Sequence, residues 1–75
     1  MEKFYSNIQE IFDRIKQPVP EFTYDEKTRE YIAVDGYNLN GYDYTVVVKD
    51  NGHVVFGLVE GNTFFEENTL GYIEV

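Results

Sequence analysis

Residues 42–60, YDYTVVVKDNGHVVFGLVE, carry the clearest β-hairpin signal in the chain. Both flanks of this stretch are rich in Val, Tyr and Phe, which suit the pleated, half-buried surface of a strand. The Asp-Asn-Gly at residues 50–52 lies between the flanks and has the chemistry of a tight turn. The stretch therefore predicts an antiparallel hairpin at the centre of the fold.

Two loop lengths fit this turn, and they give different pairings. A two-residue loop pairs Val48 with Val55, whereas a three-residue loop, with Gly52 in a left-handed conformation, pairs Val48 with Val54. We expect the three-residue loop, because it separates an apolar face from a mixed face. The apolar face then carries Tyr42, Tyr44, Val46, Val48, Val54, Phe56 and Leu58. The mixed face carries Asp43, Thr45, Val47, Lys49, His53, Val55, Gly57 and Val59.

An amphipathic helix is predicted over residues 2–17. Its apolar residues recur at helical spacing along one stripe: Phe4, Ile8, Ile11, Phe12 and Ile15. Pro18 should stop this helix, because a proline disfavours the α conformation of the residue before it.

Strands are expected over residues 21–25 and 29–35, and a last strand over residues 70–75 with Ile73 and Val75 facing inward. Residues 36–41, GYNLNG, are expected to form a loop set by Gly and Asn. Residues 62–68 stay open between a strand and a short helical turn capped by Thr63 and Glu66. The fold class is therefore α+β: one domain over residues 1–75, with the N-terminal helix packed on one face of a four- to five-stranded antiparallel sheet.

The net charge of −8 is unevenly placed along the chain. Acidic and basic residues cancel over residues 1–17, and no Lys or Arg follows Lys49. Direct binding to nucleic acid is not expected, because it depends on Lys and Arg replacing counterions at the phosphates. A basic protein partner is the natural complement of this charge.

The residues that enzymes use for catalysis are sparse. His53 is the only histidine and lies beside the predicted turn, and nothing in the spacing brings it near Ser6. Asn38-Leu39-Asn40-Gly41 matches only the middle of a calcium loop, since Val47 stands where the bidentate Glu would be. We therefore expect no enzyme, no metal and no cofactor.

The segment at residues 35–44, DGYNLNGYDY, has the composition of adaptable binding loops. We expect a non-enzymatic protein-interaction module that contacts its partner through this segment and the mixed face of the hairpin. The predicted contact residues are Asp35, Tyr37, Asn38, Leu39, Asn40 and Asp43. The hairpin register instead favours a core position beneath the helix for Tyr42 and Tyr44.

Two other functions stay open. The first is a nucleic-acid mimic that inhibits a basic DNA- or RNA-binding protein, with carboxylates at phosphate-like spacing. Its residues would be Asp25, Glu26, Glu30, Asp35, Asp43, Glu60, Glu66 and Glu67. The second is a small-molecule-binding domain or small enzyme that uses the sheet face.

Association and location follow from the same residues. The valines at 47, 55 and 59 on the mixed face suggest a homodimer. No basic stretch followed by an apolar run opens the chain, and no apolar run approaches ~18 residues. A cytoplasmic protein that does not cross a membrane is therefore expected.

Overall fold

A computed structural model describes residues 2–74, with the side chains described from Phe4 onward. One helix precedes six strands. Their bounds are α1 Glu2–Arg14, β1 Phe22–Asp25, β2 Glu30–Ala33, β3 Tyr37–Leu39, β4 Tyr42–Val48, β5 His53–Glu60 and β6 Thr63–Tyr72. The predicted inward position of Val75 lies outside the described residues.

The six strands form one antiparallel sheet in the order β1-β2-β4-β5-β6. Strand β3 pairs with the beginning of β4, and β2 pairs with its end, so both lie along the same edge of β4. The α+β fold with one N-terminal helix and an antiparallel sheet is thus confirmed, with six strands in place of four or five.

The additional strand lies in the segment predicted to be a loop. Tyr37 pairs with Tyr44 and Leu39 pairs with Tyr42, across a two-residue turn at Asn40 and Gly41. Both turn residues have positive φ, 55° and 84°, which is the conformation that the tightest hairpin turns require. The loop prediction for residues 36–41 was therefore wrong, because Asn-Gly here closes a hairpin.

The central hairpin adopts the three-residue register. Val48 lies opposite Val54 and Val46 lies opposite Phe56, while Lys49 N donates a hydrogen bond to His53 O at 2.8 Å. Gly52 has φ 90° and donates its N–H to Lys49 O at 2.9 Å. The separation of apolar and mixed faces expected from the sequence is confirmed.

Helix α1 packs on the apolar face, over the half of the sheet that holds the turn at residues 50–52. Ile8, Ile11 and Phe12 are buried there against Val48 and Val54, among other core residues. At the start of the helix, aromatic rings fill the space above β1 and β2. The Phe4 ring stacks on Tyr31 with 4.1 Å between centroids, and meets the Phe22 ring edge-on at 5.6 Å.

The helix ends earlier than Pro18 predicts. Lys16 has φ 58° and Gln17 N donates to Phe12 O at 3.0 Å, which is the geometry of a glycine-type helix cap built on lysine. The chain therefore reverses before the proline is reached. As a consequence Ile15, predicted to belong to the buried stripe, is 39% exposed.

Residues 62–68 form part of the longest strand, β6, and not a capped helical turn. Two register shifts interrupt its pairing with β5 and leave Glu67 and Leu70 as extra residues. Between the turn and the first shift, Phe64 lies opposite Val59 and Phe65 lies opposite Leu58. The adjacent phenylalanines thus point to opposite faces of the sheet, as their spacing requires.

The mixed face of the sheet has no helix over it, yet Val47 and Val55 are buried. Lys49 Nζ lies 2.6 Å from Glu66 Oε1 on β6 and 3.9 Å from Glu30 Oε2 on β2. Ion pairs therefore link strands on both sides of the central hairpin across this face. The homodimer stays a prediction, and these two valines are not free to contact a second copy.

Candidate protein-interaction surface

The helix leaves the other half of the apolar face uncovered. This half holds the turns at residues 40–41 and 61–62 and a continuous group of aromatic and aliphatic side chains. The group, called the aromatic surface below, comprises Tyr37, Leu39, Tyr42, Tyr44, Phe56, Leu58 and Phe65. Leu39 is 50% exposed, Tyr42 58% and Phe65 48%, so the surface is open to solvent.

Strand register places these side chains in rows. Tyr37, Tyr44, Leu58 and Phe65 lie directly opposite one another across β3, β4, β5 and β6. At ~4.8 Å per strand spacing, this row is about 14 Å long. The rings also contact Phe56 in the next row, with Tyr44 stacked on it at 5.1 Å between centroids. Tyr37 also lies against Phe56, at 6.2 Å between centroids, so three rings of the aromatic surface pack together.

The turn at Asn40 and Gly41 positions the outermost row. Because the two-residue loop pairs Leu39 with Tyr42, it brings a leucine and a tyrosine side by side at the tip of the sheet. The recorded β4–β5 pairing ends at Tyr44 and Leu58, and strand alternation puts Tyr42 and Glu60 on the same face beyond that pair. An exposed tyrosine and an exposed carboxylate therefore lie at the same end of the sheet.

A cleft of about 200 Å³ opens between the helix end and the sheet. Its walls are Phe12, Ile15, Gln17, Tyr37, Leu39, Val46, Phe56 and Leu70. The cleft exists because the helix ends at Arg14 and the sheet continues past it. Burial raises the pKa of Tyr37 above its ordinary value, which already keeps a tyrosine hydroxyl protonated at neutral pH.

The structure divides the predicted contact residues between two faces. Tyr37 and Leu39 belong to the aromatic surface, whereas Asn38 and Asp43 lie on the mixed face, where Asn38 Nδ2 donates to Asp43 Oδ1 at 2.9 Å. Asp35 is exposed in the connection between β2 and β3. Asn40, also in the predicted set, occupies the turn itself.

Most of the aromatic surface was missed by the sequence interpretation. Tyr42 and Tyr44 were expected to lie beneath the helix, but the helix covers the opposite half of the sheet, so Tyr42 is exposed and Tyr44 half-buried. The Asn40-Gly41 dipeptide was the signal that could have extended the sheet to this end. Phe65 was missed because the sequence left residues 62–68 open between a strand and a short helical turn.

The acidic residues considered for nucleic-acid mimicry do not form one array. Strand alternation puts Asp25, Glu30, Asp43 and Glu66 on the mixed face, and Glu60 on the apolar face. Glu26, Asp35 and Glu67 lie in turns, connections or the bulge. Lys49 Nζ lies 2.6 Å from Glu66 Oε1 and 3.9 Å from Glu30 Oε2, so one positive charge is shared by two of these four carboxylates on the mixed face.

His53 and Ser6, the residues considered for catalysis, lie on β5 and on the helix. The His53 ring meets Tyr72 edge-on with 4.5 Å between centroids, and Ser6 is exposed on the helix. Among the side chains described, those of residues 4–74, no three His, Cys, Asp or Glu are grouped so as to hold a metal ion. The helix at Glu2–Arg14 is too short and too polar to cross a membrane.

Comparison with known proteins gives no relative to set beside this surface. No family model, no curated protein sequence and no solved structure matches the chain. The surfaces described above are therefore the basis for inferring what the protein does.

Proposed function

We propose that this chain is a cytoplasmic, non-enzymatic protein-interaction module, and that the aromatic surface is its contact surface. The observation that carries the proposal is the open half of the apolar face. Leu39, Tyr42 and Phe65 are each about half exposed there, on three different strands of one rigid sheet. Contiguous apolar patches that stay exposed on a protein surface often mark sites of interaction with another protein.

The residue types support the same proposal. Tyrosine and phenylalanine bring large contact areas at a low cost in side-chain entropy, and they are enriched where interfaces are strongest. The rings at 37, 44 and 56 are already packed against one another before any partner binds. A surface that is ordered in advance loses less entropy on binding.

Charge indicates a basic partner. Residues 35–75 carry seven acidic residues and one basic residue, Lys49. That lysine is held between two glutamates on the mixed face, so the strands that carry the aromatic surface offer an excess of negative charge. A second copy of this chain would bring the same negative charge to the contact, which disfavours self-association there.

The test is affinity capture from a lysate of the native host, with tagged full-length chains as bait, at low and high salt. Tyr42→Ser is paired with Tyr72→Ser, because both tyrosines are exposed (58% and 68%) but Tyr72 lies outside the aromatic surface. Leu39→Ser is paired in the same way with Val34→Ser, at 50% and 53% exposure. Each bait is first checked for an unchanged circular dichroism spectrum.

We expect a basic protein that the wild-type chain retains at both salt concentrations. Recovery should fall about tenfold for Tyr42→Ser and Leu39→Ser, as for the loss of a well-placed interface side chain, and stay unchanged for the two controls. A nucleic-acid-binding protein held only at low salt, and equally well by Tyr42→Ser, would support the mimic instead. Recovery of the bait alone would contradict the interaction proposal.

A further inference from the structure

The cleft at the edge of the aromatic surface has the size of one large side chain. Its volume of about 200 Å³ lies below the ~300–1,000 Å³ typical of cofactor and drug sites. A cavity of about 150 Å³ lined by Leu, Ile and Phe holds one benzene molecule. The cleft therefore matches a phenyl ring with its methylene, or a leucine side chain, better than a free cofactor.

Its walls are suited to an apolar occupant. Seven of the eight lining residues are aliphatic or aromatic, and only Gln17, at the solvent-exposed rim, ends in an amide. Tyr37 adds a protonated hydroxyl at the wall next to Leu39. An apolar side chain entering here would lose its contact with water without leaving a charged group buried.

A second recognition element lies beyond the cleft on the same face. Tyr42 begins β4 and Glu60 ends β5, so both lie at the same end of the sheet, and both are exposed. The ring face of an exposed tyrosine together with a nearby carboxylate suits a guanidinium group. From Phe56 in the cleft wall to Glu60 is four residues along β5, about 13 Å at ~3.3 Å per residue. An extended peptide covers the same distance with about four residues.

We propose that the partner presents a linear segment in which a Phe- or Leu-sized side chain fills the cleft and an arginine about four residues away binds at Tyr42 and Glu60. This inference rests on the proposed function and specifies the chemistry of the partner. Arg14 and Lys16 are exposed at the end of the helix, where they would repel a second basic group. The basic part of the segment therefore lies over the strands and its apolar residue lies in the cleft.

The test is selection from a random dodecapeptide library displayed on phage, with the folded full-length chain as target. We expect the enriched peptides to share a large apolar residue and an Arg three to five positions away. Synthetic versions of these peptides are then measured by fluorescence anisotropy. Replacing the apolar residue by Ala, or the Arg by Gln, should each weaken binding about tenfold.

Variants of the chain test each element with a matched control. Gln17→Trp should block the cleft and Gln9→Trp, elsewhere on the exposed side of the helix, should not. Leu39→Ala should remove one wall of the cleft and weaken the same peptides. Glu60→Gln should reduce their preference for Arg, whereas Glu74→Gln, exposed beyond the end of β6, should leave it unchanged.

The outcomes separate this inference from the broader proposal. A library without enriched peptides, or peptides that bind Gln17→Trp as well as the wild-type chain, would overturn the inference. If lysate capture still depends on Tyr42 in that case, the aromatic surface keeps its role and binds a folded face of its partner. If lysate capture does not depend on Tyr42 either, both the inference and the proposed function are wrong.

Discussion

Substitution of Gly52 by Ala should destabilise the protein far more than the same change at another turn glycine. Gly52 has φ 90°, and a Cβ built there would lie 2.1 Å from the carbonyl oxygen of Ile73. The positive φ costs an L-residue about 1–2 kcal/mol. Relieving the close approach moves the chain at Ile73 and disturbs the 2.8 Å hydrogen bond from Ile73 N to Gly52 O, for about 1–3 kcal/mol more.

The expected loss is thus about 2–5 kcal/mol, against roughly 4–11 kcal/mol for the whole stability of a chain this long. Gly61→Ala is the matched control, because Gly61 also has a positive φ of 58° but no atom within 4 Å of its built Cβ. That variant should lose only about 1 kcal/mol. Since both glycines have positive φ, the difference in unfolding free energy between the two variants measures the cost of the close approach to Ile73.

Urea unfolding followed by far-ultraviolet circular dichroism measures both variants. With a slope of about 1 kcal/mol per molar urea, Gly52→Ala should lower the midpoint by about 2–5 M or unfold the chain outright, and Gly61→Ala by about 1 M. Equal midpoints for the two variants would refute the reasoning, because the packing of Ile73 on the central turn would then contribute nothing to the free energy of unfolding.

Two further changes test single interactions. Tyr5→Phe removes the hydroxyl that accepts a 3.2 Å hydrogen bond from Phe22 N, so the free energy of unfolding should fall by about 1 kcal/mol, with Tyr24→Phe as an unchanged control. Lys49→Met keeps the apolar stem but removes the charge; since the ammonium group is partly exposed, the loss should stay below about 1 kcal/mol. The hydrogen bond to Glu66 raises the pKa of Lys49. The contribution of this ion pair to the free energy of unfolding is therefore complete below the ordinary lysine pKa of about 10.4, and it is lost as pH rises through the raised value. Urea midpoints that differ between wild type and Lys49→Met by the same amount at neutral and strongly alkaline pH would contradict this assignment.

The central hairpin could be predicted because two independent signals agree there. The turn chemistry at residues 50–52 allowed two registers, and only one of them gave an apolar face for the helix to cover. Pattern and turn together therefore determined the pairing of Val48 with Val54. The helical stripe was equally clear, since Ile8, Ile11 and Phe12 are all buried.

The exposed half of the apolar face could not be predicted, because the sequence does not say where the helix crosses the sheet. Hydrophobic spacing shows which side of a strand is apolar, and it does not show how far along the strand a covering helix reaches. The crossing depends on Lys16, whose left-handed conformation caps a helix that ends at Arg14, well before Pro18. Lysine at that position is not a recognised signal for the end of a helix, whereas glycine is.

Strand β3 was missed for a different reason. Residues 36–41 are rich in Gly and Asn, which are common both in irregular loops and in the tightest hairpin turns. Only three residues, Tyr37–Leu39, separate the turn from the break after β2. So short a strand gives too little alternation for its period to be recognised.

Hydroxyl-radical footprinting of the full-length chain, compared between purified protein and a lysate of the native host, tests the interaction surface most directly. Mass spectrometry reads the oxidation of each side chain separately, so exposed residues on and off the aromatic surface are measured together. We expect labelling of Leu39, Tyr42 and Phe65 to fall in the lysate, while Val34 and Tyr72, equally exposed in the free chain, keep theirs. Unchanged labelling of the first three residues, or protection of Tyr72 and Val34 instead, would contradict the account.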